Sequence, residues 1–305
     1  MTFGSQCDEK TSHAILDKAF DAGITFIDTA DVYPLAGGLE LAGTTERFVG
    51  TWLKGKRERA VIASKAGNRV GPAPWDQGLS RKHLLDAIDA TLRRLGTEYV
   101  DIYYLHLPDP NTPIDETLEA LDAIVKSGRA RYIGCSNFLA YQIARALGRS
   151  DLRGLARYAC VQPRYNLLYR KPELELLPLC RDEGLAVVPF NPLAGGLLTG
   201  KHDRARVPAS GRFKVTQYQD RYWHDREFDA VAEIAPLAER AGVSLATLAV
   251  AWVLANPIVT APIIGASDPA QLDATLGAAE WSLPADVKAQ LDAISAPFRL
   301  SEAPF

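Results

Sequence analysis

The 305-residue chain lacks the features of several protein classes. Its formal net charge is only −3 and its pI is about 6.0, so it has no basic excess of the kind that a nucleic-acid surface needs. It has no basic-then-apolar signal segment at its start, and no apolar run of membrane-spanning length. We therefore expect a soluble, cytoplasmic protein that binds neither nucleic acid nor membranes.

Cysteine is also sparse. The four cysteines, Cys7, Cys135, Cys160 and Cys180, lie far apart in the sequence, and none belongs to a CxxC pair. We interpret them as free thiols in a reducing compartment, and we predict no metal site. No GxGxxG motif follows any strand-like run, which disfavours a Rossmann-type dinucleotide site.

What the chain does contain is a regular alternation of strand-like and helix-like segments. This alternation predicts βα units and a parallel sheet. The strand-like runs lie at 24–30, 60–65, 100–106, 131–137, 159–163, 185–192 and 261–266, and the main helix-like segments at 11–22, 80–95, 114–127, 140–147 and 172–183.

Seven βα units without a break in composition predict an α/β fold with one closed barrel domain of parallel strands over residues 1–305. The first strand is predicted to be truncated, because only residues 1–4, ahead of the first helix-like segment, could form the tail of an eighth strand. An internal start of the chain and a gapped barrel are both open explanations. The long connection 194–225 contains several aromatic residues, which predict an ordered flap.

Four polar residues stand where successive apolar strands end, namely Asp28, Tyr33, Lys65 and His106. Strand ends of a parallel barrel converge on one mouth, where the active sites of this architecture lie. A phenol titrates near ~10 in water, and a nearby ammonium lowers this pKa. Lys65 therefore favours Tyr33 as a general acid, Asp28 holds Lys65 charged, and His106 donates a hydrogen bond or relays a proton.

Each of these residues also has an ordinary structural interpretation. Asp28 could cap a turn, Tyr33 could be a half-buried aromatic, Lys65 could be a solvated charge, and His106 could be a packed core histidine. Their coincidence on successive strand ends favours the catalytic interpretation.

A second group of residues is suited to a carboxamide, a flat ring and phosphates. Ser136, Asn137 and Gln162 can donate to and accept from an amide, and Phe190 can stack on a heteroaromatic ring. The candidates for phosphate contacts are the loop residues Asn191, Pro192, Leu193 and Gly195, the charged residues Lys201 and Arg212, and Gly265, Ser267 and Gln271 around the start of a helix. Ordinary turn chemistry is the alternative explanation for the glycines.

With these residues in view, the chain resembles the aldo-keto reductases over residues 3–279. The resemblance rests on Phe26-Ile-Asp-Thr-Ala-Asp-Val-Tyr33, Asp101-Ile-Tyr-Tyr-Leu-His106, Gly134-Cys-Ser-Asn-Phe138, Val161-Gln-Pro163 with Tyr165-Asn166, and the run from Asn191 to Lys201. Gly211-Arg-Phe213 and Arg221-Tyr-Trp223 are similar to the branch that contains the aflatoxin-aldehyde reductases.

The resemblance implies a (β/α)8 barrel that binds an extended nicotinamide dinucleotide across its mouth. The catalytic tetrad of the family falls on Asp28, Tyr33, Lys65 and His106. Its amide ligands fall on Ser136, Asn137 and Gln162, its stacking ring, usually Tyr, on Phe190, and its phosphate contacts on the loop after Asn191, Lys201, Arg212, Ser267 and Gln271.

The chain departs from the family pattern in three places. A β-hairpin and a full first strand usually precede the position of Met1. Many members have Arg just after the last strand, where it holds the 2′-phosphate of NADP, and this chain has Asp268 there. Thr275 stands where Asn is usual. Because Lys201, Arg212 and Ser267 are present, the resemblance still implies NADP(H) as the first choice of cofactor, with NAD(H) possible.

The function expected on this basis is an NAD(P)H-dependent carbonyl reductase that interconverts aldehydes or ketones and alcohols, with Tyr33 as general acid and base. One alternative is an NADP(H)-binding sensor or interaction protein with little turnover. Another is a Schiff-base aldolase with Lys65 as nucleophile, which Asp28 disfavours by keeping the lysine charged. The substrate and the oligomeric state stay open.

Overall fold

A computed structural model of the chain describes residues 1–300. Residues 301–305, which the single-domain prediction includes, lie outside the described residues. The chain divides into two compact units. The first unit comprises Met1–Gln162 and Gly265–Ala270, and the second comprises Pro163–Ile264 and the residues from Gln271 onward. The prediction of one domain over the whole chain stays a prediction.

The first unit contains five parallel strands, each hydrogen-bonded to the next in the sequence. They are β1 (Phe26–Asp28), β2 (Val61–Ala66), β3 (Val100–Leu105), β4 (Ala130–Ser136) and β5 (Tyr158–Gln162). All five match strand-like runs of the sequence, and the predicted α/β class with a parallel sheet is confirmed. Because the strands are parallel and sequential, their carboxyl ends lie along one edge of the sheet.

Five helices accompany these strands. They are α1 (Glu9–Asp21), α2 (Thr44–Trp52), α3 (Arg81–Leu95), α4 (Ile114–Lys126) and α5 (Ala140–Arg153). The predicted boundaries of α3 are confirmed, since the Ser80 side chain accepts a hydrogen bond from His83 N and Gly96 ends the helix in the left-handed conformation. The α2 helix is not predicted from the sequence, and α5 extends six residues beyond its predicted end at residue 147.

The two faces of the sheet carry different side chains. Side chains alternate along a strand, so Ser64 and Lys65 of β2 point to opposite faces, as do Tyr103 and Tyr104 of β3. The register pairs Ser64 with Tyr103 and Lys65 with Tyr104, and all four residues are fully buried. Both faces of the strands are therefore covered, as expected for a parallel sheet.

Residues 1–8 form no extended strand. Phe3 and Cys7 make an isolated bridge with each other. The Thr2 hydroxyl donates to the Ala266 carbonyl oxygen at 2.8 Å, and the Cys7 thiol donates to the Ser267 carbonyl oxygen at 3.4 Å. The start of the chain is thus tied to the 265–270 segment within the first unit.

The second unit is mainly helical. Up to residue 300, it contains the short strand β6 (Ala186–Val187) and the helices α6 (Leu176–Asp182), α7 (Thr216–Tyr222), α8 (Asp225–Arg240), α9 (Leu245–Leu254), α10 (Leu272–Glu280) and α11 (Ala285–Ser295). The α9 helix is buried almost all round, which agrees with its nearly continuous apolar sequence.

The predicted last strand at 261–266 is wrong, because these residues form no strand. Pro262 lacks the N–H group that a strand would use in its ladder. Only isolated contacts stand in its place: Thr260 N donates to the Val187 carbonyl oxygen at 2.8 Å, and Ile263 N donates to the Pro189 carbonyl oxygen at 2.8 Å.

The long connection 194–225 is held by an aromatic cluster, as its composition predicts. The Trp223 ring lies 4.7 Å from Phe213 and 5.0 Å from Phe228, both in edge-on arrangements. The His202 ring packs on the Phe213 ring at 5.0 Å. Short 3₁₀ segments at Ala194–Thr199 and Arg212–Lys214 precede α7 within this connection.

All four cysteines are buried and none is part of a disulfide bond, which confirms the prediction that they are thiols. Within residues 1–300, no helix taken singly has the length and apolar character to cross a membrane; α8 and α9 meet that test only as a pair bent by 94°.

Candidate active site

The carboxyl ends of β1 and β2 bring Asp28 and Lys65 into direct contact. Lys65 Nζ donates a hydrogen bond to Asp28 Oδ1, and a second one to the Thr29 carbonyl oxygen at 2.7 Å. The Lys65 side chain is fully buried, and that of Asp28 is only 8% exposed. A buried ammonium needs such partners, since an unpaired charge in the interior costs several kcal/mol.

Tyr33 and His106 complete the group of four, which we call the tetrad. Tyr33 follows β1, and His106 follows β3 directly. The Tyr33 hydroxyl lies 3.4 Å from His106 Nε2, at the long end of the hydrogen-bond range, and the two rings meet edge to face. Lys65 Nζ lies 5.3 Å from the centre of the Tyr33 ring. The phenol therefore stands beside both the imidazole and the ammonium.

The surroundings of His106 favour the neutral form of its imidazole. Burial lowers its pKa well below the ordinary value, and the positive charge of Lys65 lowers the pKa further. Its Nδ1 atom is buried and has no hydrogen-bond partner among residues 1–300. His106 thus acts on Tyr33 as a neutral hydrogen-bonding group through Nε2.

The three residues predicted to bind an amide are hydrogen-bonded to the tetrad or to one another. Gln162 Nε2 donates to Asp28 Oδ2 at 2.8 Å, and Asn137 Nδ2 donates to the His106 carbonyl oxygen at 2.9 Å. The Ser136 hydroxyl donates to the Gln162 carbonyl oxygen at 2.7 Å. The two groups that the sequence analysis treats separately therefore form one network. Asp28 accepts from both Lys65 and Gln162, a link that the sequence analysis missed.

Asn137 adopts a left-handed backbone conformation, with φ of 63°. Asn is one of the few residues with a side chain that tolerates this region. Its Nδ2 atom also lies 3.1 Å from the Ser136 hydroxyl oxygen, so one amide group joins the ends of β3 and β4.

Most of the predicted phosphate contacts belong to the second unit, where Asn191 orders the start of the loop. Asn191 Oδ1 accepts from Gly195 N at 2.6 Å, and Asn191 Nδ2 donates to the Tyr222 hydroxyl at 2.9 Å. Asn166 Nδ2 donates to the same hydroxyl at 3.0 Å and to the Asn191 carbonyl oxygen at 2.9 Å. Tyr222 is a scaffold residue of this loop, a role that the sequence did not indicate.

Glycine is required at position 195 in this loop. Its φ is 71°, and a Cβ atom there would lie 2.9 Å from the Tyr218 ring. Phe190 lies just ahead of the loop, followed by Pro192 and Leu193. The exposed Lys201 and the half-buried Arg212 come after it, and Arg212 donates to the Tyr218 hydroxyl at 2.8 Å.

The remaining candidates surround the start of α10. Gly265 and Ser267 belong to the first unit, as the tetrad does, whereas Gln271 belongs to the second. Gln271 lies in a short 3₁₀ segment, since α10 begins only at Leu272. Asp268 Oδ1 accepts a hydrogen bond from Ala270 N at 2.8 Å, so this carboxylate binds a backbone donor that an anion could otherwise use.

Comparison with known proteins identifies the chain's relatives. A family model described as the aldo/keto reductase family matches residues 1–296. A probable voltage-gated potassium channel subunit beta of Arabidopsis thaliana is 38% identical over 284 residues, which cover 92% of this chain and 85% of the relative.

Two bacterial proteins are similar over nearly the full chain. An uncharacterized oxidoreductase, YrpG, of Bacillus subtilis (strain 168) is 36% identical over 301 residues, covering 96% of this chain and 90% of the relative. Protein tas of Escherichia coli (strain K12) is 35% identical over 318 residues, covering 96% and 92% respectively.

Proposed function

The chain belongs to the aldo/keto reductase family, and we propose that it is an NADP(H)-dependent carbonyl reductase built as one (β/α)8 barrel domain. Membership of the family implies NAD(P)H-dependent oxidoreductase activity. The proposal adds the carbonyl substrate, the preference for NADP(H) and the role of Tyr33. The observation that carries it is the hydrogen-bonded network that joins the tetrad to Ser136, Asn137 and Gln162.

The residues present suit a nicotinamide group. The Ser136 hydroxyl and the amides of Asn137 and Gln162 lie together and can donate to and accept from a carboxamide. When bound, the cofactor would supply or accept the hydride.

The tetrad supplies the proton in this proposal. The carbonyl oxygen gains negative charge as the carbon is reduced, and Tyr33 transfers its phenolic proton to that oxygen. The Lys65 ammonium, fixed by Asp28, stabilises the phenolate that results. His106 is neutral, so it can hydrogen-bond to the substrate oxygen without competing as an acid. In the oxidation of an alcohol, Tyr33 takes the proton back.

The test is turnover by purified protein with NADPH, and separately NADH, over a panel of activated aldehydes and quinones. We expect loss of nicotinamide absorbance with NADPH and at least one substrate. Tyr33→Phe should lose about 10²-fold or more in kcat while the dissociation constant for NADPH changes little. Equal turnover of the variant would refute the role of Tyr33, and tight NADPH binding without turnover of any substrate would refute the reductase.

An NADP(H)-binding interaction protein is the second candidate, because a plant relative named as a probable channel beta subunit is 38% identical. Such a protein would bind NADPH and turn it over very slowly. Size-exclusion chromatography with a candidate partner, combined with the turnover assay, separates the two functions.

A Schiff-base aldolase is disfavoured by the position of Lys65. A lysine nucleophile must be a neutral amine, whereas Lys65 is buried against the Asp28 carboxylate, which stabilises the ammonium. Borohydride in the presence of a carbonyl substrate should trap no covalent adduct. A trapped adduct on Lys65 would favour the aldolase.

A further inference from the structure

A second group of polar and charged residues lies on the side of β2 that faces away from Lys65, and all of them except the partly exposed Arg94 are buried. It comprises Asp31 on the segment between Asp28 and Tyr33, Glu46 on α2, Arg94 on α3, Ser64 on β2 and Tyr103 on β3. Asp31 is 1% exposed, and Glu46, Ser64 and Tyr103 are fully buried. None of these residues belongs to the tetrad or to the predicted cofactor contacts.

Glu46 has hydrogen-bond donors on both carboxyl oxygens. The Ser64 hydroxyl donates to Glu46 Oε1 at 2.5 Å, and Arg94 Nε donates to Glu46 Oε2 at 2.5 Å. A hydroxyl and a guanidinium thus satisfy the two carboxyl oxygens of Glu46. The guanidinium of Arg94 is thereby committed to Glu46.

Asp31 has no such partners. No side-chain donor among the described residues reaches either of its carboxyl oxygens, and the N–H group of the adjacent Val32 is the backbone donor beside them. The buried hydroxyls of Tyr103 and Thr29 have no hydrogen-bond partner among the described residues. Two buried carboxyl groups, Asp31 and Glu46, thus face one arginine, whose side chain is 24% exposed. An ionised and unpaired carboxylate in such a place would cost several kcal/mol.

The direction of the pKa shift of Asp31 agrees with its burial beside a second carboxyl group. Burial raises the pKa of Asp31 well above its ordinary value, and the negative charge of Glu46 raises the pKa further, against smaller opposing effects of Arg94, the nearby Val32 N–H group and Lys65. Burial also raises the pKa of Tyr103, and the charges of Asp31 and Glu46 raise it further, so these three groups interact electrostatically.

We propose that Asp31 is a neutral carboxylic acid in the native protein and a positioning residue for Tyr33, and that its ionisation at high pH loosens the segment that carries Tyr33. Asp31 N donates to the Lys65 carbonyl oxygen at 3.0 Å, and Thr29 N donates to the Ala63 carbonyl oxygen at 2.9 Å. These bonds fasten the segment to β2. A charge on Asp31 would be repelled by Glu46 and would pull this segment toward water.

The consequence for stability has a definite sign. The pKa of Asp31 is higher in the folded than in the unfolded state, so the unfolded chain binds fewer protons. The contribution of Asp31 to the stability is fully present below its unfolded pKa of ~3.9, and it is lost as the pH rises through its folded pKa. Asp31→Asn, which mimics the neutral acid, removes this loss.

The experiment compares wild type, Asp31→Asn and the control Asp101→Asn. Asp101 is a carboxylate on β3 that pairs with Arg57 and accepts a hydrogen bond from Ile62 N. A neutral Asn in its place removes the charge of this pair, so Asp101→Asn shows what the same substitution does to a paired carboxylate. Infrared spectra in the carbonyl region at neutral pH should show a protonated-carboxyl band in wild type and in Asp101→Asn that Asp31→Asn lacks. Melting temperatures across a pH series should fall less at high pH in Asp31→Asn than in wild type, whereas Asp101→Asn melts lower at neutral pH.

The kinetic part rests on the proposed reductase function. The alkaline limb of the kcat profile should move to higher pH by about one unit or more in Asp31→Asn. Infrared and melting measurements need no turnover, so they judge the neutral acid even if the protein reduces no carbonyl. If wild type and Asp31→Asn have parallel melting profiles and the same protonated-carboxyl band, the proposal that Asp31 is a neutral acid is overturned. If the alkaline limb of the kcat profile does not move in Asp31→Asn, the positioning role is overturned. If Asp31→Asn does not fold, the protonated-carboxyl band of the wild-type protein is followed over a pH series instead. Absence of this band at neutral pH refutes a neutral Asp31, whereas its presence at neutral pH and loss at higher pH supports a neutral Asp31.

Discussion

Replacing Lys65 by Met should both destabilise the protein and stop the proposed reaction. Lys65 is fully buried, and its ammonium bonds to Asp28 and to the Thr29 carbonyl oxygen. Lys65→Met leaves the Asp28 carboxylate buried without its cation, with the Gln162 amide still donating to it. Breaking a buried pair in this way costs about 3–5 kcal/mol. Urea denaturation followed by circular dichroism measures this free energy of unfolding.

The double variant separates the cost of the stranded charge from the loss of the side chain. Adding Asp28→Asn to Lys65→Met removes the uncompensated carboxylate, and the amide oxygen of the new side chain can still accept from Gln162. We expect the double variant to recover about 1–3 kcal/mol of the stability that Lys65→Met loses. Its kcat should stay about 10²-fold or more below wild type, because the ammonium that assists Tyr33 is gone.

A surface pair provides the matched control. Lys82 and Asp86 form an ion pair of 2.8 Å on α3 with side chains 59% and 65% exposed. Lys82→Met should therefore change the free energy of unfolding by less than about 1 kcal/mol. If Lys65→Met is as stable as Lys82→Met, or if the double variant is less stable than Lys65→Met alone, the interpretation of Lys65–Asp28 as a buried charge pair is refuted.

Three further predictions concern other parts of the chain. Gly134→Ala should lower stability by about 1–3 kcal/mol in the same denaturation assay, because its Cβ would lie 2.6 Å from the Cys160 carbonyl oxygen, and an unchanged midpoint would contradict this close packing. Tyr222→Phe removes the hydroxyl that accepts from two asparagines, so it should cost about 1–3 kcal/mol and weaken NADPH binding in a fluorescence titration; tighter binding would contradict the scaffold role. Asp268→Arg should raise the ratio of NADPH to NADH affinity about fivefold or more, and an unaltered ratio would exclude this position from 2′-phosphate recognition.

Local signals allowed the boundaries of several elements to be predicted. Ser80 caps α3 and Gly96 ends it, since a capping hydroxyl and a left-handed glycine act within one helical turn. The five strands of the first unit were recognisable for a similar reason: parallel strands buried on both faces appear as short continuous apolar runs. The run at 261–266 has the same appearance, and there the proline at 262 decided the outcome.

The sequence predicts where the residues of the candidate site lie along the strands, but it does not predict which hydrogen bonds they form with one another. The sequence places Asp28, Lys65 and His106 at strand ends, and parallel pairing brings strand ends together. It does not show that Gln162 bonds to Asp28, because the two residues are 134 positions apart and meet only through the register of the intervening strands. Arg94 and Glu46 likewise meet through the packing of α3 against α2, and α2 itself was not predicted.

By itself, the sequence determined the α/β class, the family resemblance and the polar residues at the strand ends, because these depend on local composition and order. Only the tertiary structure decided how charges are shared. Asp28 and Asp31 stand three residues apart in one motif, yet Asp28 contacts the Lys65 ammonium, whereas the Asp31 carboxyl bonds to no cation within residues 1–300. The physical reason is that solvent exclusion and long-range contacts, which appear only on folding, set the free energy of each carboxylate.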